Sequence, residues 1–410
     1  MNMKLDEADN RIFDNLKALQ SDDAIINVIN LVRNKFPSNP EVTAYLASIL
    51  AKSGNILASI NDLVADVAST GGPSSLSTIV TPLYLRAAGA VVPKLGVPGR
   101  PAGGIDCLAQ ISGYRTVLSC QEVNSISESA GYAHFLASGD FAPLDGKMFR
   151  LRQKLGAQAE PALVVSSLLS KKLSVGIKYA GLDIRVASHG NFGTDWITAT
   201  KNAKLFRETA ELLDIKASTV LTHAEYPYQP YIGRSEALVA LNDYFEGISS
   251  PWLNEHFSMC RSLAMACIPE KYRGKIAKLK YTELRQYFDA NLVAQGASPS
   301  DFNLIVEKTK KSHQTYLKAK YHGFCFFSLQ DIRSVFVHFQ KLLRADENTF
   351  PDPIGLILQC QSGDWVDKDE IIATVRLPDD KKEEIVTMLE QLICNPLSSP
   401  KGPFLEAVDD

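Results

Sequence analysis

Three stretches carry residue types from which a site for an anion and a polar ring could be built. The first is Ser69-Thr70-Gly71-Gly72-Pro73-Ser74-Ser75, ahead of a helix of small and apolar residues from about 77 to 89. Glycines let a backbone come close to an anion, and its N–H groups and the next helix N-terminus can then hold phosphate. The hydroxyls of Ser69, Thr70, Ser75, Ser77 and Thr78 can add donors. The second stretch is 161–173. If helical, it puts Ser167 and Lys171 four residues apart on one face. With Arg152 upstream, these are donors that suit the carbonyl oxygens and ring nitrogen of a pyrimidine. The third stretch is the loop 96–104, which has too many glycines and prolines for regular structure and carries Arg100, with Lys94 just before it. Each has a plainer reading as well: a turn, or lysines solvated at a helix end.

These residues need elements to position them. Leu16, Leu19, Ile25, Ile26, Ile29, Leu31 and Val32 recur at helical spacing, so residues 1 to about 60 read as helices. Ser38-Asn39-Pro40-Glu41 is a helix start, and Gly54 reads as a C-terminal cap. Leu63-Val64-Ala65-Asp66, residues 182–186 and residues 218–222 read as strands. Residues 147–175, 199–213 and 275–320 read as helix. The alternation predicts an α/β core with a separate all-α lobe. Short strands at 355–358, 362–366 and 371–375 predict a small α+β part at the end. The expected division is a helical lobe of 1–62 and 146–176, an α/β lobe of 63–145 and 177–330, and a C-terminal domain of 331–410.

Composition narrows the function classes. The chain has 410 residues, 45% apolar and 22% charged, with a formal net charge of -3. That is globular composition long enough for two or three domains, without the basic excess of a phosphate-gripping nucleic-acid binder. Lys275, Lys278, Lys280, Arg285 and the cations Lys308, Lys310 and Lys311 are therefore read as a solvated helix face, and nucleic acid is not an expected partner. No apolar run approaches the roughly 20 residues of a membrane span. The N-terminal stretch is acidic and amphipathic, and the seven cysteines are scattered without a C-x-x-C pair. A cytoplasmic protein with reduced thiols is expected, without a zinc site.

The ordered segments resemble the thymidine and pyrimidine-nucleoside phosphorylase family. Its D-K-H-S-T-G-G loop is similar to Asp66-Val67-Ala68-Ser69-Thr70-Gly71-Gly72. Its G-G and P-G-F follow as Gly103-Gly104 and Ser112-Gly113-Tyr114, and its L-A-P-A-D as Phe141-Ala142-Pro143-Leu144-Asp145. Its Y-A-x-R-D is similar to Phe149-Arg150-Leu151-Arg152-Gln153, and its S-I-x-x-K-K-L to residues 167–173. Its M-D-V-K-V-G-S-G is similar to residues 182–189, and its G-D-x-V-x-K to residues 363–368.

The resemblance implies a class II nucleoside phosphorylase fold: two lobes meeting across a cleft that closes, with a homodimer through the helical lobe. It implies no cofactor and no metal. The substrates would be a nucleoside or nucleotide and phosphate, and the activity a pentosyl transfer. The base would be bound by Arg152, Ser167 and Lys171, with Arg152 and Lys171 polarising it, and phosphate by Ser69 and Thr78 with the glycine loop. The departures fall on the phosphate side. The family lysine is Val67, its histidine is Ala68, and its phosphate-binding threonine is lost from the rewritten loop or replaced by Ile105. Lys94 and Arg100 are the expected replacements for the lysine, and His134, His189 and His223 the candidates for the histidine. The runner-up reading is a catalytically silent paralogue that binds a nucleoside or nucleotide.

Overall fold

The computed structural model describes residues 5–58, 61–136, 140–190, 192–343, 346 and 349–399. Three helices lead: α1 Glu7–Leu19, α2 Asp22–Lys35 and α3 Pro40–Ala51. Each starts on a side chain that accepts from its first turn: Asp6, Ser21 and Asn39, the last ahead of Pro40 as its sequence predicts. Then come β1 Ala65–Ser69, α4 Ser77–Ala87, β2 Val92–Gly96, α5 Gly104–Leu108, α6 Cys120–Ser129 and β3 Tyr132–Leu136. The chain returns to the helices with α7 Pro143–Lys154 and α8 Pro161–Ser174. It then re-enters the sheet with β4 Tyr179–Val186, α9 Trp196–Glu211 and β5 Lys216–His223.

β1, β4 and β5 pair in parallel in the order β1-β4-β5, and β2 pairs in parallel with β3. A single parallel bridge between Val64 and Val91 joins the two groups. The strand ends after β1 and β4 therefore open on the same side, where a parallel sheet ordinarily holds its ligand. After β6 Tyr231–Ile232, one face is covered by α10 Arg234–Phe245, α11 Pro251–Cys267, α12 Glu270–Ala277, α13 Tyr281–Ala294 and α14 Pro299–Lys311. The last part holds β7 Thr315–Lys318, β8 Gly323–Phe324, α15 Leu329–Leu342, β9 Gly355–Leu358, β10 Trp365–Val366, β11 Ile371–Arg376 and α16 Lys382–Ile393. Its antiparallel sheet, β6-β9-β11-β7, takes two strands from before residue 331. An α/β fold with an all-α lobe and an α+β C-terminal part is what the alternation predicted.

Four details differ from the sequence reading. The first strand lies later, because Ala68 and Ser69 still pair with Leu182 and Asp183, so the glycine loop begins at Thr70. The expected helix 147–175 is two helices, broken where Gly156 takes φ 63 and Pro161 starts the next. The expected helix 275–320 ends as β7, whose residues pair with β11. Gly54 is no cap. Helix α3 ends at Ala51 with Lys52 as its C-cap, and a Cβ at Gly54 would lie 2.6 Å from the Asp140 carbonyl and from Pro143, so the glycine serves a close chain crossing.

Candidate functional site

The glycine loop joins the end of β1 to α4, and its conformation needs glycine: Gly71 has φ 103 and Gly72 φ 141. The hydroxyls around it converge on one carboxylate. Ser69 Oγ donates to Asp183 Oδ2 at 2.9 Å, Ser77 Oγ to the same oxygen at 3.2 Å, and Thr222 Oγ1 to Asp183 Oδ1 at 2.8 Å. Arg185 Nη2 pairs with Asp183 at 2.6 Å and donates to Ser75 Oγ at 2.8 Å, and Ser75 and Ser77 share a hydrogen bond of 2.9 Å. Thr70 turns its hydroxyl to the Arg185 backbone N–H. Tyr228 lies over the guanidinium, 4.0 Å from ring centre to Cζ, and stacks on His256, whose Nε2 accepts from the Leu76 N–H. Burial would lower the Arg185 charge, but Asp183 outweighs it and holds the guanidinium ionised. Burial pushes the Tyr228 phenol up to about 12.

Sequence reasoning gave Asp183 and Arg185 no role. Their signal was strand alternation: residues 183 and 185 face one side of β4, the side that Ser69 faces in register.

The other anion-side candidates sit elsewhere. Lys94 is buried and engaged, donating to Asp66 Oδ1 and to the Val67 carbonyl, each at 2.7 Å. Lys172 pairs with the other oxygen of Asp66. Burial would raise the Asp66 carboxyl, but the two lysines hold it below the usual carboxylate range. Arg100 is exposed and reaches over the Phe149 ring of α7, 5.9 Å from its centre. Asp106 and Arg234 hold its loop, Asp106 accepting from the Gly99 and Arg100 N–H groups and Arg234 donating to the Arg100 carbonyl. Thr78 packs against Gly104, where a Cβ would lie 3.0 Å from its Oγ1 and 2.5 Å from His134. His134 is buried, bonded to Tyr132 at 2.9 Å, and driven well below the usual histidine range by burial. His189 lies 3.9 Å from Glu225, and His223 stacks on Tyr226. The lysine-rich helices carry ion pairs, Arg285 with Asp289 and Lys310 with Asp243.

On the base side, Ser167 and Lys171 meet as their spacing requires. Lys171 Nζ donates to Ser167 Oγ at 2.9 Å and pairs with Asp145, the third residue of α7. Arg152 does not join them. Its Nε, Nη1 and Nη2 donate to the carbonyls of Ala157, Leu163 and Gln158 at 3.2, 3.0 and 2.8 Å, tying the α7–α8 turn. Burial pulls its pKa down to about 10. Arg152→Ala is therefore expected to cost about 2–4 kcal/mol of stability, because two buried carbonyls and one part-buried carbonyl lose a charged donor. Chemical denaturation beside a nucleoside titration checks this; a folded variant of unchanged stability with lost affinity would reverse the assignment.

The fold class is an α/β protein with an all-α lobe. The same architecture is seen in the anthranilate phosphoribosyltransferase of Thermus thermophilus, at TM-score 0.52 and 15% identity over 75% of this chain and 95% of that one. Within that class the chain is a divergent relative of the pyrimidine-nucleoside phosphorylases. It is 25% identical over 381 residues to that of Geobacillus stearothermophilus, covering 88% of this chain and 87% of that protein. The AMP phosphorylase of Methanococcus aeolicus is 29% identical over 247 residues, 54% of this chain and 48% of that protein. No protein-family model matches. No helix among the described residues is long and apolar enough to cross a membrane.

Proposed function

We propose that the chain is a pentosyltransferase that cleaves the N-glycosidic bond of a pyrimidine nucleoside or nucleotide, with phosphate as acceptor. The observation that carries this reading is the likeness over 88% of the chain to an enzyme named pyrimidine-nucleoside phosphorylase. The Ser167–Lys171–Asp145 cluster supports it. A phosphate oxygen attacks the anomeric carbon as the carbon–nitrogen bond breaks, and the electron pair leaves on the base. Lys171 stabilises the charge that develops on a base carbonyl, and Ser167 orients the ring. The backbone N–H groups after β1 and the start of α4 hold the acceptor. Incubation with a panel of nucleosides and nucleotides, with and without phosphate, tests the reading by chromatography of released base. No base from any of them would refute it.

The proposal includes a cytoplasmic homodimer through the helical lobe. Ile12, Ile26, Leu31 and Tyr45 are only partly buried on its core, and Leu19 is 66% exposed. Light scattering at micromolar concentration is expected to give twice the chain mass, and a monomer would remove the dimer from the proposal.

A further inference from the structure

Position 67 cannot supply the cation that an anion over the glycine loop needs. Val67 pairs in register with Gly181, and a Cβ there would lie 2.7 Å from its side chain, so the valine fills the sheet face as packing. The two buried lysines nearest in the fold, Lys94 and Lys172, are both held by Asp66. One strand over, on the same face, stands Arg185. It is 3% exposed, and its Nη2 is fixed by Ser75 and Asp183 at the loop. Its Nη1 is buried and makes no formed hydrogen bond among the described residues. His256 Nδ1, in the same cluster, is in the same position, and the Tyr228 hydroxyl has only the Arg185 guanidinium beside it. Buried donors left unused are costly, and two around one loop mark a place where an acceptor belongs.

We infer that Arg185 is the residue that meets a phosphoryl oxyanion over the loop, in the place of a lysine at position 67, and that Asp183 sets how tightly. The inference rests on the acceptor side of the proposed function. Asp183 accepts from Ser69, Ser77, Thr222 and Arg185, and so takes up the donors an incoming phosphate would use. It also neutralises the guanidinium. Wild-type affinity for phosphate is accordingly low, and removing the carboxylate charge raises it.

The test is calorimetric titration of the full chain with inorganic phosphate, and separately with a pyrimidine nucleoside. Asp183→Asn is expected to tighten phosphate at least about tenfold, since hydroxyls are released and a like charge is removed. The neutral pair Asp183→Asn with Arg185→Gln is expected to lose phosphate binding while nucleoside affinity stays within about twofold. A folded double variant that binds phosphate like wild type would overturn the inference. Should the double variant not fold, Asp183→Asn decides alone, and phosphate affinity equal to or below wild type overturns it. A sugar phosphate that binds where inorganic phosphate does not, with the same dependence on 183 and 185, supports the inference and assigns the oxyanion to a phosphorylated substrate. Failure of the wild type to bind any nucleoside counts against the proposed function and leaves the phosphate result to be read by itself.

Discussion

Arg376→Met is expected to destabilise the C-terminal part by about 3–5 kcal/mol, because it leaves buried carboxylates without their cation. Glu236, at the start of α10, is fully buried. Arg376 on β11 meets it twice, at 2.7 and 2.9 Å, and reaches Asp352 at 2.7 Å, while His313 lies 3.0 Å from the same Glu236. The fit is close: a Cβ on Gly355 would lie 1.8 Å from one carboxylate oxygen, and one on Gly233 2.1 Å from the other. The cluster ties the antiparallel sheet to α10, and Arg234 beside it ties the rewritten loop through Asp106. Burial would raise the Glu236 carboxyl, but Arg376 and His313 bring it from 4.5 down to about 2. Its stabilisation, on the order of 3 kcal/mol, is present above pH 4.5 and is lost as pH falls toward 2. In Arg376→Met the largest cause of the depression is gone and only His313 remains, so acid unfolding should begin at higher pH than in wild type. Hydrogen exchange of the β9 and β11 amides across pH measures both effects. Protection in the variant equal to wild type would show that the cluster does not hold the sheet.

Lys171→Ala is expected to lower kcat/KM for the best nucleoside by about a hundredfold to a thousandfold, the size found when one donor to a developing anion is removed. The side chain is 12% exposed, held between Asp145 and Ser167, and so is both pre-positioned and near the surface. Its loss also leaves Asp145, 5% exposed, without a cation, so stability is measured alongside. Asp145→Asn keeps the shape of the cluster and should reduce the rate less. Steady-state base release by chromatography is the readout. A folded Lys171→Ala variant with wild-type kcat/KM would take Lys171 out of the base site.

What the sequence determined by itself was local. The helix start at Asn39-Pro40, the Ser167–Lys171 pair one turn apart and the strand–helix alternation follow from contacts within a few residues, where spacing alone sets who meets whom. The order of motifs added the kinship. The tertiary structure alone decided which cations were free. Lys94 and Lys172 are paired with Asp66 from 28 and 106 residues away, and Arg185 with Ser75 from 110. Arg152 looked like a ligand because its type and motif fitted, but its donors are taken by carbonyls that only the α7–α8 turn brings to it. A side chain's charge is written in its sequence; its partner is set by sheet register and helix packing between distant segments, which no spacing along the chain encodes.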